Sequence, residues 1–278
     1  MTRVVRPLLG LLFVCALTLP LQGAGARFWE VATLADFLKG DVNNLAIDLH
    51  GRLVLGPALT EVAAPTAPVL WTGLPADDGS LLVGSGNDGQ VLRVARDGTL
   101  STFFDSAELE VHALARAPGG GLYVGTSPDG RIYKVDAAGK SAPFFDPDDK
   151  YIWALAVDAK GVVYAATGDK GLLYRITPDG KGEVFYRTKA THVRALHAAS
   201  DGALLVGTES PGRVFRVTAD GVGFLLLDSG LQEVSALRPG SGGVVYAAAL
   251  TGRGDDRPAS PVVLPEPSRP MPVPSVST

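Results

Sequence analysis

Four segments, LLVGSGNDGQVLRV, LYVGTSPDGRIYKV, VYAATGDKGLLYRI and LLVGTESPGRVFRV, begin at Leu81, Leu122, Val163 and Leu204. They are 41 residues apart each time, without an insertion. A fifth copy opens as VVYAAAL at Val244, one residue inside the same register, and then stops. A fixed period near this length means tandem supersecondary units. Each is too small to bury its own apolar face and must stack on its neighbours.

Each full unit reads as four short strands. In the unit holding Leu122 they are expected over 111–116, 121–126, 131–135 and 141–145. Gly119-Gly120-Gly121, Pro128-Asp129-Gly130 and Ala138-Gly139-Lys140 supply the turns, with Gly or Asp-Gly where positive φ is needed. Apolar and polar residues alternate along Arg131-Ile132-Tyr133-Lys134-Val135, as in a strand with one more buried face. Four strands in about 40 residues, repeated in tandem, predict an all-β chain built as a β-propeller of four-stranded blades. A parallel β-helix is the structural rival, but its coils are shorter and lack this succession of tight hairpins.

Full repeats cover 69–109, 110–150, 151–191 and 192–232. Upstream, Val42 to Gly56 resembles the first two strands of a blade that is short by a strand and a turn; downstream, Val234 to Leu250 supplies two strands. The outer strands missing there are expected from Phe28 to Leu38 (FWEVATLADFL), which matches the VARDGTLSTFF stretch in type and spacing. Joining the termini in one blade would close a ring of about six blades and remove two open sheet edges. The alternative is an incomplete propeller belonging to a longer protein. Residues 251–278 are rich in Pro and Ser with little to bury and read as a disordered tail or linker. The Arg-Gly-Asp at 253–255 reads as part of that solvated tail.

The N-terminus sets the expected compartment. Arg3 and Arg6 precede an apolar run from Leu8 to Leu21, and Ala24-Gly25-Ala26 offers small residues to a signal peptidase. Residues 1–26 therefore read as a signal peptide, leaving a propeller over 27–250 and a secreted or periplasmic protein with no membrane span. Cleavage removes Cys15, the only cysteine, so the mature chain has no disulfide and depends on burial for stability. It also removes two arginines, taking the net charge from −4 to about −6, which disfavours a nucleic-acid surface.

The stretch AVDAKGVVYAATGDKGLLYRITPDG (Ala156 to Gly180) resembles the NHL-type propeller family and its broader bacterial relatives. Shared features are an apolar strand, an Asp, a Gly turn and a tyrosine-containing second strand. Thr167 stands where NHL repeats commonly carry Asp, and the Trp-Asp dipeptides of WD-type repeats are absent. The chain also looks like larger secreted bacterial propellers in which a Pro-rich segment interrupts the blades. These resemblances imply binding of a ligand or partner and name no substrate.

In a propeller the innermost strand of each blade runs beside the central channel. Stepping by 41 along that strand gives Trp71, His112, Trp153, Arg194 and Ser235, flanked by the apolar Leu70, Val111, Ile152, Val193 and Val234. Strand alternation predicts that the flanking set packs between blades while the first set faces the channel mouth. Two residues earlier lie Glu110, Tyr151, His192 and Glu233, expected in loops on the same rim. Packing positions repeat almost unchanged, whereas the rim differs from copy to copy. Aromatic faces with polar tips suit a glycan, an aromatic ligand or a peptide; the alternative is that the Trp side chains plug the channel and the charges are merely solvated. Glu110, His112, His192 and Glu233 are also of metal-ligating type, yet come from different blades without a close ligand spacing, so no metal or other cofactor is expected.

Catalytic signatures are missing. GSGNDG and GTSPDG each sit between two strands, with no following helix and no Lys-Ser/Thr ending, and so read as turns rather than phosphate loops. No Gly-x-Ser-x-Gly elbow occurs. The expected function is a non-enzymatic binding scaffold of the cell envelope. A propeller lactonase of the gluconolactonase type is the enzymatic alternative; that resemblance implies a metal held by carboxylate and amide side chains, and Asn43 is the only Asn at the equivalent rim position. The other alternative is the N-terminal part of a larger sensory or assembly protein.

Overall fold

A computed structural model describes residues 36, 39, 44–47, 52–56 and 60–251. Residues 1–26, expected to be a signal peptide, most of Phe28 to Leu38 and residues 252–278 lie outside the described residues. Among those described, no helix is long and apolar enough to cross a membrane. The chain divides into two units, 1–61 and 62–278.

The described part of the first unit is one antiparallel hairpin, β1 (Leu45–Ile47) with β2 (Leu53–Leu55). The Gly56 N–H donates to the Asn44 carbonyl at 2.9 Å and closes the open end of the hairpin.

The second unit contains four complete antiparallel blades, each a simple meander. The first comprises β3 (Val69–Pro75), β4 (Leu81–Gly86), β5 (Gln90–Val94) and β6 (Leu100–Asp105). The second comprises β7 (Glu110–Arg116), β8 (Leu122–Ser127), β9 (Ile132–Val135) and β10 (Ser141–Phe145). The third is β11 (Lys150–Val157), β12 (Val163–Gly168), β13 (Leu172–Ile176) and β14 (Gly182–Arg187). The fourth is β15 (His192–Ala198), β16 (Leu204–Glu209), β17 (Arg213–Val217) and β18 (Gly223–Asp228). A further pair, β19 (Glu233–Pro239) and β20 (Val245–Leu250), attaches through a single Glu209–Glu233 bridge. This is a β-propeller with four complete blades. The six-blade count rests on Phe28 to Leu38 and so lies, save for Asp36, outside the described residues.

The core is a series of layers between adjacent blades rather than one central cluster. Leu82, Val91 and Phe104 of the first blade pack on Val111, Leu122 and Val135 of the second. Ala113, Tyr123 and Ile132 of the second pack on Ile152, Val163 and Ile176 of the third, and Tyr164, Ala166 and Leu173 of the third on Val193, Leu204 and Phe215 of the fourth. A second strand is therefore covered on both faces, and all six residues of β8 and of β12 are buried. That explains why LYVGTS and VYAATG read as continuous apolar or small runs instead of alternating ones.

Two devices recur at the repeat spacing. An outer-strand aromatic meets a third-strand aromatic of the next blade: Phe104 with Tyr133 at 5.3 Å, Phe145 with Tyr174 at 5.6 Å and Tyr186 with Phe215 at 6.1 Å. The hydroxyls of Ser85 and Thr126 donate across the following turn to the carbonyls of Gln90 and Arg131, both at 3.1 Å. These buried hydroxyls satisfy backbone groups that the turn leaves out of the ladder.

Candidate ligand site at the channel mouth

In the second unit the inner strands β3, β7, β11, β15 and β19 each carry a register shift at the same place. Pairing with the second strand jumps between Leu70 and Thr72, Val111 and Ala113, Ile152 and Ala154, Val193 and Ala195, and Val234 and Ala236. The skipped residues are Trp71, His112, Trp153, Arg194 and Ser235. A bulge leaves its extra residue unpaired and bends the strand, re-aiming that side chain. Simple alternation was the expected reason for their shared orientation; the observed reason is a bulge repeated at the hub of each blade. Of the flanking set, Val111, Ile152, Val193 and Val234 are fully buried as expected, whereas Leu70 is 47% exposed.

The five bulged residues line one cavity of about 420 Å³. The His112 ring lies 4.5 Å from the Trp71 ring and 4.5 Å from that of Trp153. The Arg194 guanidinium lies over the other side of the run, 3.9 Å from the Trp153 centroid, in cation–π geometry. Its Nε donates to Glu233 Oε1 at 3.2 Å and faces Glu209 Oε2 at 3.5 Å. The hub is thus a continuous sequence of side chains from successive blades, each in contact with the next.

The rim residues support this sequence, but not from loops. Glu110, His192 and Glu233 are the first residues of β7, β15 and β19, and Tyr151 is the second of β11. The expectation of rim loops is corrected accordingly: the inner ladder extends far enough to include them, as the Glu110–Ser127 and His192–Glu209 pairs show. Tyr151 stacks on Trp153 with centroids 5.2 Å apart and planes at 12°. The Trp153 Nε1–H donates to His192 Nδ1 at 3.2 Å. A Cβ at Gly168 would lie 2.6 Å from Trp153 Nε1 and 2.7 Å from His192 Nδ1, so only glycine leaves room for that contact.

Glu110 Oε2 and His112 Nε2 are 2.7 Å apart, with the His112 side chain 6% exposed. Burial pushes the His112 pKa down from its ordinary value, and Arg194 adds to that effect; Glu110 opposes it without overcoming it. His112 is therefore neutral at neutral pH. The four metal-type residues do not converge: Glu110 pairs with His112, His192 with Trp153, and Glu233 with Arg194. Among the described residues, no three His, Cys, Asp or Glu side chains gather to hold a metal ion.

Two polar groups at the hub were not singled out by the sequence reading. Glu209, at the end of β16, faces Arg194; reading across the ladder from His192, rather than along the inner strand, locates it. Ser127 occupies the corresponding position of β8, opposite Glu110. It is fully buried, and its Oγ has no hydrogen-bond partner among the described residues. Glu108 and Asp149 are also buried near the rim, but they fasten turns. Glu108 accepts the Asp129 N–H at 3.1 Å and Asp149 accepts the Thr167 hydroxyl at 2.5 Å.

No protein-family model and no curated protein sequence matches the chain. Solved structures are similar in fold. Virginiamycin B lyase from Staphylococcus aureus is 17% identical, with a TM-score of 0.59 over 74% of this chain and 71% of that one. Regucalcin, a calcium-binding protein from Agrobacterium tumefaciens, is 18% identical, with a TM-score of 0.56 over 77% of each chain. A putative gluconolactonase is 15% identical, with a TM-score of 0.53 over 74% of this chain and 78% of that one. These neighbours are β-propeller proteins, and at such identities the likeness establishes the fold class alone.

Proposed function

We propose that the chain is an exported, NHL-like propeller that binds a ligand or partner at its channel mouth in the cell envelope and does not turn it over. One observation carries this reading. The residues that vary from repeat to repeat are those brought together in the cavity, where they hold one another in a fixed arrangement of rings and ion pairs. Such preorganisation favours binding, because little side-chain freedom is lost when the ligand arrives. Trp71, half exposed at the end of the run, offers an aromatic face to a ligand, while Arg194 and Glu233 offer donors and acceptors.

Calorimetric titration of the mature protein with envelope peptides and glycans tests the reading, with Arg194→Ala and Trp153→Ala in parallel. A ligand whose Kd rises by about tenfold or more in both variants, a loss of ~1.4 kcal/mol, is the expected result. Turnover of that ligand, abolished by His112→Ala, would replace binding with catalysis.

Glu110 and His112 give the enzymatic reading its specific support. A carboxylate 2.7 Å from a neutral imidazole in a cavity is an arrangement that can accept a proton from a bound substrate. The neighbours whose names denote a lyase and a putative gluconolactonase share the fold that would carry it. A metal-dependent version requires a stoichiometric divalent ion that is lost on Glu110→Gln or Glu233→Gln, which metal analysis of the purified protein would detect. The third reading, one part of a larger sensory or assembly propeller, is tested by the downstream reading frame.

A further inference from the structure

We infer that the channel cavity takes a saccharide bearing no acid group, stacked on Trp71 and held through vicinal hydroxyls by the Arg194–Glu233 pair. This rests on the binding reading above and names its ligand class. Three features of the site lead to it.

The charges come first. Arg194 lies between two carboxylates, Glu233 at 3.2 Å and Glu209 at 3.5 Å, while a third, Glu110, pairs with the buried His112 at 2.7 Å. A ligand carboxylate or phosphate would find the charge of the hub's guanidinium already offset by Glu233 and Glu209, and would meet the like charge of Glu233 in the cavity wall. Arg238 also lines the cavity, but it is exposed and screened by solvent.

The second feature is the hydrogen-bonding capacity that remains. Arg194 is bonded through Nε, leaving its terminal nitrogens as donors, and each partner carboxylate has a second oxygen as acceptor. Adjacent hydroxyls fit such a pair, one accepting from the guanidinium and its neighbour donating to the carboxylate. Trp71 Nε1 and the second ring nitrogen of His112 add further capacity, since neither has a hydrogen-bond partner among the described residues.

The third is shape and surface. Trp71 contacts His112 on one side and keeps 44% of its area exposed, so an indole surface is available beside the polar pair. The C–H face of a pyranose matches such a ring, while its hydroxyl rim faces the charged groups. A volume of about 420 Å³ lies in the range of small-molecule sites.

The probes are cellotriose, maltotriose and chitotriose, compared with trigalacturonate, each titrated calorimetrically into the mature protein. At least one neutral trisaccharide is expected to bind with a Kd below about 1 mM and trigalacturonate at least about tenfold more weakly. Trp71→Ala is expected to weaken the neutral sugar by about tenfold and Trp71→Tyr to restore most of that loss, which separates stacking from misfolding. Saturation by trigalacturonate at equal affinity overturns the inference, as does the absence of binding by all three neutral probes. If envelope peptides bind and Arg194→Ala abolishes that binding while no sugar binds, the saccharide assignment falls and the channel-mouth reading stands. If neither class binds, both fall.

Discussion

His112 is the residue on which the hub turns, because it touches both tryptophans and pairs with Glu110. Its pKa is lowered in the folded chain, chiefly by burial, so the folded state resists protonation more than the unfolded one. Stability is then fully present above the ordinary histidine range. It falls as pH drops through that range and levels off below the lowered folded value. Urea midpoints measured between neutral and mildly acidic pH are expected to decline in this way, and His112→Gln is expected to flatten the decline. An equal slope in both proteins would place the acid sensitivity elsewhere. At this scale the sequence was informative where the repeat imposed equivalence: counting in steps of 41 put Trp71, His112, Trp153, Arg194 and Ser235 at one register position. It did not reach Glu209 and Ser127, whose approach depends on pairing across the blade, and it placed the rim set in loops, because the point at which a ladder frays is decided by tertiary packing.

At the scale of the strand, two unlike requirements meet in each blade. The inner strand must turn one side chain toward the channel, which the bulge achieves, and the second strand must accept a neighbouring blade on each face. Gly125 shows the second requirement. A Cβ there would lie 2.4 Å from Ile152 Cγ2 and 2.8 Å from its Cβ, in the next blade. Gly125→Ala is expected to cost about 1–3 kcal/mol through overpacking, read as a lowered urea midpoint. Gly73→Ala serves as the contrast, since its new Cβ meets only Leu81 Cδ1 at 3.6 Å, an ordinary contact. Its cost is expected to stay within about 0.5 kcal/mol. Ile152→Ala should remove far more, about 2–5 kcal/mol, because the side chain is fully buried between two sheets. If Gly125→Ala were as mild as Gly73→Ala, the close approach of the blades would be wrong. The alternating third strands and Gly turns made the hairpins legible, but the bulges leave no trace in the residue pattern, since apolar neighbours surround them either way.

For the molecule as a whole, the period decided the fold before any single residue did. Blades, their order and their shared hub all follow from identical units stacked side by side, and the layers of core between them recur with the same partners. Ring closure was less legible, because it depends on what covers β18 and β20. There Phe224 to Leu227 and Tyr246 are exposed at 47–67%, unlike their counterparts between blades. Convergence at the hub is open to direct measurement by nuclear magnetic resonance, following the indole N–H signals of the three tryptophans as pH is lowered. Trp71 and Trp153 each lie 4.5 Å from the His112 ring, so in a His192→Gln background, which removes the imidazole bonded to Trp153 Nε1, both should shift with one common midpoint below the ordinary histidine value, and adding His112→Gln should abolish that common transition. Separate midpoints, or a shared one that survives the substitution, would show that these side chains do not meet around a single channel.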